Sequence, residues 1–206
     1  MKTNGLKIGL FILALCVSMV ACKDDEATAT KNSFKYNDKE SEIGTAFGFA
    51  FGQTDVTGVY WVDMEFFEKT FTVHYVNGYP DSISGKGDAL VLAFLTNKET
   101  EIPTGEYVFK STSSNYAAFT IDGEDATGLI VGYDAASQDD PAFVEISGGK
   151  VTVTKNADEY EFTFNLTTKI NTTITGYYKG KPVFYTEKKK KSGNPQNWFP
   201  PKKQSI

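Results

Sequence analysis

The chain has 206 residues, with 26 acidic side chains against 21 basic ones and a net charge of −5. Every basic residue is a lysine, so the bidentate guanidinium fork that grips phosphate or carboxylate is missing throughout. The charge is also split: residues 23–180 hold 12 lysines against 25 acids, and residues 181–206 hold 7 lysines against one acid. The body of the chain therefore repels nucleic acid, and no nucleic-acid partner is expected.

At the start, Lys2 and Lys7 flank the approach to an apolar run over residues 8–21. That run is shorter than the ~20 residues that cross a bilayer as a helix, so residues 1–21 read as a signal peptide. It ends in Met19-Val20-Ala21-Cys22, which resembles the lipobox of bacterial lipoproteins. The resemblance implies cleavage before Cys22 and acylation of its thiol. Each buried CH2 of an acyl chain adds about 0.8 kcal/mol and one chain holds only marginally. The partner implied is thus a lipid bilayer, the outer membrane, held through several N-terminal acyl chains. Lys23, Asp24, Asp25 and Glu26 resemble the acidic export signal of surface-exposed Bacteroidetes lipoproteins, which implies a protein facing outward from the cell. Residues 22–32 read as an acidic tether. With Cys16 in the leader and Cys22 in lipid, no thiol remains for a disulfide, and residues 33–187 must form a single domain on the strength of their own core.

Beyond the tether, apolar and polar residues alternate with a period of two. Strands are expected over residues 34–36, 46–52, 59–67, 70–76, 89–95, 107–110, 116–121 and 129–133. Residues 59–62 and 89–95 are apolar on both faces, as in strands covered on both sides or in a barrel wall. Val144, Ile146, Val151 and Val153 alternate around Gly148-Gly149, where a break or bulge is expected. The Asn and Asp of the stretch 155–158 suit a turn, leading into a strand whose apolar face is Tyr160, Phe162, Phe164 and Leu166. Residues 170–178 and 182–185 supply the last strands. The pattern predicts an all-β antiparallel meander of about ten to twelve strands, either a calycin-style barrel or a two-sheet β-sandwich. The barrel is favoured because strands adjacent in sequence pair in order and leave no open edge.

The segments SFKYNDKE (33–40), GKGDALVLAFL (85–95), IPTGEYVF (102–109), ISGGKVTVTKNADEYEFTFNLTT (146–168) and ITGYYKGK (174–181) resemble a group of uncharacterised Bacteroidetes lipoproteins. These are strand and turn signatures, so the resemblance implies architecture and lineage and carries no catalytic residue. Residues 188–206 begin with four lysines and place Trp198 and Phe199 among prolines. They read as a basic disordered tail, either one that contacts an anionic membrane, lipopolysaccharide or an acidic partner or a solubilising end.

Candidate chemistry is sparse. His74, the only histidine, lies in an alternating strand and reads as a polar surface residue or an axial haem ligand. Asp63/Glu65/Glu68, Asp122/Glu124/Asp125 and Asp139/Asp140 have the chemistry of a glycosidase pair or of calcium ligands, but without calcium-loop spacing they read as solvated loops. There is no G-x-S-x-G elbow. No enzyme activity, catalytic residue, metal or cofactor is expected. Asp81-Ser82-Ile83 resembles the D-S/T-apolar O-glycosylation sequence of Bacteroidetes exported proteins and falls in a Gly/Pro-bounded loop, which makes Ser82 a glycosite candidate. Tyr60, Trp61 and His74 are candidate ligand contacts. The function expected is a non-enzymatic binding module for an extracellular glycan or protein; the alternative is a carrier of a small apolar ligand or haem inside the barrel.

Overall fold

The computed structural model describes residues 30–111, 116–123, 127–137 and 139–186. They form thirteen strands: β1 (Ser33–Tyr36), β2 (Lys39–Gln53), β3 (Tyr60–Glu68), β4 (Thr72–Val76), β5 (Tyr79–Ser84), β6 (Lys86–Thr96), β7 (Gly105–Lys110), β8 (Thr120–Asp122), β9 (Gly128–Asp134), β10 (Ala142–Asn156), β11 (Glu159–Thr168), β12 (Thr173–Gly180) and β13 (Val183–Thr186). Eleven belong to one sheet, and β4 and β5 pair separately.

The large sheet closes on itself. Its order runs β1-β12-β11-β10-β7-β8-β6-β3-β2, and β2 returns to β1 through Ser33↔Glu42 to Tyr36↔Lys39. This is the barrel alternative of the two architectures, and closure leaves no edge on the ring. The sheet is mixed where an antiparallel meander was expected: β7 runs parallel to β8, and β13 runs parallel to β2. The reason lies in strand length. β10 and β6 are too long for one neighbour, so β9 bridges them at one end through Ala142–Glu145 and Lys86–Val91, and β7 with β8 bridges them at the other.

The interior is filled by side chains. β11 points Tyr160, Phe162, Phe164 and Leu166 inward, as its alternation predicts, and β3 adds Val62, Met64 and Phe66. The Phe66 ring lies 5.3 Å from Phe162, 4.9 Å from Phe164 and 5.4 Å from Tyr178, all edge-to-face. Such pairs add about 0.5–1.5 kcal/mol beyond area burial, which itself contributes roughly 1.5–3 kcal/mol for each buried phenylalanine. β2 presents small inward residues, and a Cβ on Gly48 would lie 2.3 Å from Phe184 of β13. That glycine lets Phe184 plug the wall against Tyr160, 5.4 Å away.

A second apolar cluster lies on the outside of the wall. Phe47, Phe67, Ala89, Val91 and Ile130 face outward from the barrel strands and are covered by Phe71, Val73, Ile83 and Tyr133. The β4–β5 hairpin therefore acts as a second layer, which explains why β6 is buried from Gly87 to Thr96 and reads as apolar on both faces. Beneath it, Asp88 sits at a β6 irregularity and accepts hydrogen bonds from Lys39 Nζ at 2.7 Å, Ser41 Oγ at 3.0 Å and the Gly132 backbone N–H at 2.8 Å. One carboxylate thus ties β2, β6 and β9 together.

Three expectations need correction. Asp81-Ser82-Ile83, expected in a loop, lies within β5. Residues 116–121 contribute only the short β8, and the chain before it turns through Phe119 at φ 64°. In the β10–β11 turn the left-handed residue is Ala157, at φ 56°, and not the flanking Asn or Asp.

Candidate functional site

β4 and β5 are joined by Asn77-Gly78, both at positive φ (53° and 79°). This Asn-Gly pair has the chemistry of a two-residue hairpin turn. Val73 and Ile83 pair across the hairpin and pack on the outer cluster. The other face and the tip point to solvent, with Tyr75 52% exposed, Val76 54% and Tyr79 51%.

The tip reaches β13. The Tyr79 ring lies 5.2 Å from Tyr185, which stacks on Phe49 at 5.6 Å and 27°. Burial, with Tyr75 and Tyr79 close by, pushes the Tyr185 hydroxyl above its ordinary range. Three tyrosines from three strands, β4, β5 and β13, therefore converge near the Phe47–Phe49 segment of β2. They offer flat apolar area edged by hydroxyls that donate and accept, a surface suited to a polar ligand with apolar faces.

A second feature lies one strand away. Trp61, Asp63, Glu65 and Phe67 alternate outward along β3, opposite the inward Val62, Met64 and Phe66. Trp61 Nε1 donates to Asp63 Oδ1 at 2.6 Å, and the Trp61 ring lies 6.3 Å from Tyr116. Glu65 keeps part of its surface exposed, but its Oε2 is buried without a hydrogen-bond partner. Burial pushes the Asp63 carboxyl up to about 7, opposed by the Trp61 hydrogen bond and reinforced by Asp122. Burial and the neighbouring Asp63 push Glu65 up to about 8. These carboxylates lie mid-strand and largely enclosed, a correction to the solvated loops expected. The cause is tertiary: the adjacent strands carry Phe47, Phe49, Val91 and Ala93 opposite them.

The remaining candidates are scattered. Tyr60 and Trp61 occupy opposite faces of β3 and form no common aromatic face, because neighbouring residues of a strand point oppositely. His74 is exposed on the hairpin, outside the barrel, where its Nε2 lies 2.8 Å from Ser84 Oγ. It has no line to the barrel interior. Ser82 is exposed but sits on β5, opposite His74. Glu68 belongs to the Asp88 cluster, 3.5 Å from Lys39 and accepting from the Asp88 N–H. Asp139 and Asp140 line an open cleft of about 250 Å³ with Lys86, Asp134 and Ser137. Among the described residues no group of three or more His, Cys, Asp or Glu is arranged to hold a metal. Cys22, Lys23, Asp24, Asp25, Glu26, Glu124 and Asp125 lie outside the described residues.

Tyr75, Tyr79 and Tyr185 were not singled out by sequence reasoning. The signal was present as Tyr75-Val76-Asn77-Gly78-Tyr79, an Asn-Gly turn flanked by aromatics. No family model, curated protein or solved structure matches the chain.

Proposed function

We propose that the protein is a lipid-anchored outer-membrane lipoprotein, facing the cell surface, whose barrel presents a tyrosine patch to an extracellular glycan or protein ligand without catalysing a reaction. The observation that carries this reading is the convergence of Tyr75, Tyr79 and Tyr185 at an exposed hairpin tip, where tyrosine supplies large contact area at low entropic cost. The anchor rests on the apolar leader ending at Cys22, and the outward orientation on Lys23, Asp24, Asp25 and Glu26. The resemblance to Bacteroidetes lipoproteins agrees with both. The filled interior favours a ligand held outside the barrel over a small apolar molecule or haem carried within it.

One experiment with two arms tests it. Full-length protein labelled with an alkyne palmitate analogue should carry the label, and Cys22→Ala should not. In the second arm, the intact protein is assayed on an array of extracellular polysaccharides and against surface proteins. Tyr79→Ala and Tyr185→Ala should each weaken the interaction found by tenfold or more, with near-UV circular dichroism unchanged. Equal binding by both tyrosine variants would defeat the proposed patch, and label persisting on Cys22→Ala would defeat the anchor.

A further inference from the structure

The β4–β5 hairpin is tied to the barrel by backbone at its base and by side chains beyond it. At the base, the Lys69 N–H donates to the Glu42 carbonyl at 2.8 Å, the Phe71 N–H to the Glu68 carbonyl at 3.0 Å and the Ala135 N–H to the Gly85 carbonyl at 3.0 Å. The Phe71 ring holds the same point, 5.8 Å from Phe67 and 6.2 Å from Tyr133. From residue 72 to residue 84 no backbone hydrogen bond among the described residues reaches a barrel strand, since β4 and β5 pair only with each other.

The two legs of the hairpin meet at one place. Gly85 has φ 104°, and a Cβ there would lie 2.4 Å from the Thr70 carbonyl oxygen. The second leg thus turns against the first in a conformation that glycine adopts readily and other residues do not. Beyond this pivot, a two-stranded hairpin is marginal by itself in water. It is held down by the packing of Val73 and Ile83 on the outer cluster and by the 5.2 Å ring contact of Tyr79 with Tyr185. The tyrosine patch is thereby divided between two bodies: Tyr75 and Tyr79 ride on the hairpin, and Tyr185 belongs to the wall. Lifting the hairpin takes the patch apart and uncovers apolar surface of the outer cluster, which opposes the motion and makes the closed form the major one.

We propose that the hairpin is a hinged arm, pivoting at Phe71 and Gly85 while the barrel stays folded, and that its closure assembles the tyrosine patch. A ligand that touches both bodies then binds the closed form, and occupancy and closure stabilise each other. The coupling to a ligand rests on the function proposed above; the motion of the arm does not.

Thiol labelling measures the motion without any ligand. Ala89 and Leu90 are neighbours on β6 and both fully buried, the first in the outer cluster beneath the arm and the second inside the barrel. In full-length chains carrying Ala89→Cys or Leu90→Cys, modification by N-ethylmaleimide is read by mass on the peptide that holds the site, which keeps Cys16 and Cys22 apart. Position 89 should label at least tenfold faster than position 90 and respond weakly to low urea, because lifting exposes little surface. Position 90 should follow the steep urea dependence of global unfolding. Tyr79→Ala should speed labelling at position 89 at least threefold. Where Leu90→Cys fails to fold, Leu92→Cys, also inside the barrel, takes its place. Equal rates with equal urea dependence at the two positions would overturn the arm, and a rate at position 89 indifferent to Tyr79→Ala would overturn its closure through the patch. Labelling as expected in a protein that captures nothing on the array would support the arm and count against the binding function alone.

Discussion

Asp63 and Glu65 illustrate how an acidic residue changes meaning with its surroundings. Sequence supplies their parity, since i and i+2 share a face of a strand, but it says nothing of what lies on the neighbouring strands. Enclosure by Phe47, Phe49 and Val91 comes from pairings distant in sequence. Its consequence is a pH dependence of definite sign. Both carboxyls bind protons more tightly in the folded protein, at about 7 and about 8, than in the unfolded chain, where the ordinary values are 3.8 and 4.5. The folded state therefore holds more protons across that interval, and stability falls as pH rises through it. Glu42, Asp158 and Glu161, lowered chiefly by their lysine hydrogen bonds, act oppositely and at lower pH. The urea midpoint should therefore decline between pH 5 and 8, and Asp63→Asn/Glu65→Gln should flatten the decline. A decline of the same slope in the double variant would show that other groups cause it.

Elements with strict alternation were readable, and those governed by backbone geometry were read in part. β11 matches its pattern because one face meets the core and the other meets water. β5 was missed because Pro80, Asp81 and Ser82 argue locally against a strand, whereas pairing with β4 and the packing of Ile83 prevail. The Gly148-Gly149 bulge was readable and the structure fixes its cause. The β10–β11 register shifts between Ile146 and Gly148, and Gly149 has φ 97° with the position of a Cβ only 2.3 Å from the Asn165 carbonyl oxygen. Gly148 has ordinary room, its nearest neighbour being 3.9 Å away. Gly149→Ala should therefore cost at least about 1–3 kcal/mol through backbone conformation alone, whereas Gly148→Ala should stay within about 1 kcal/mol of the parent. Chemical denaturation of the two variants side by side measures the contrast, and equal losses would mean the bulge does not depend on the left-handed residue.

Closure is the property of the whole molecule that local sequence encodes least, because it depends on partners at opposite ends of the domain. β1 pairs with both β2 and β12, so the first strand is the joint that completes the ring. Phe34 on β1 is almost fully buried in the core, and a Cβ on Gly176 of β12 would lie 2.3 Å from the Ser33 carbonyl oxygen, which shows how closely the joint is packed. Asn32 clamps it further: its Nδ2 donates to the Lys179 carbonyl at 2.9 Å and its Oδ1 accepts from the Lys179 N–H at 2.8 Å. Removing residues 30–38 would delete two ladders, uncover the interior at Ile43 and Ile174, and turn β2 and β12 into unpaired edges. An open apolar edge seeks another chain, so the shortened protein should lose its cooperative transition and elute as oligomers on size exclusion. The comparison with Asn32→Ala isolates the clamp from the strand. That variant loses two exposed hydrogen bonds, worth about 0.5–1.5 kcal/mol each, and should remain monomeric with a lowered midpoint. A monomeric, cooperatively unfolding chain without β1 would mean that β2 and β12 can close the ring directly, and β1 would then be an accessory strand and not the joint.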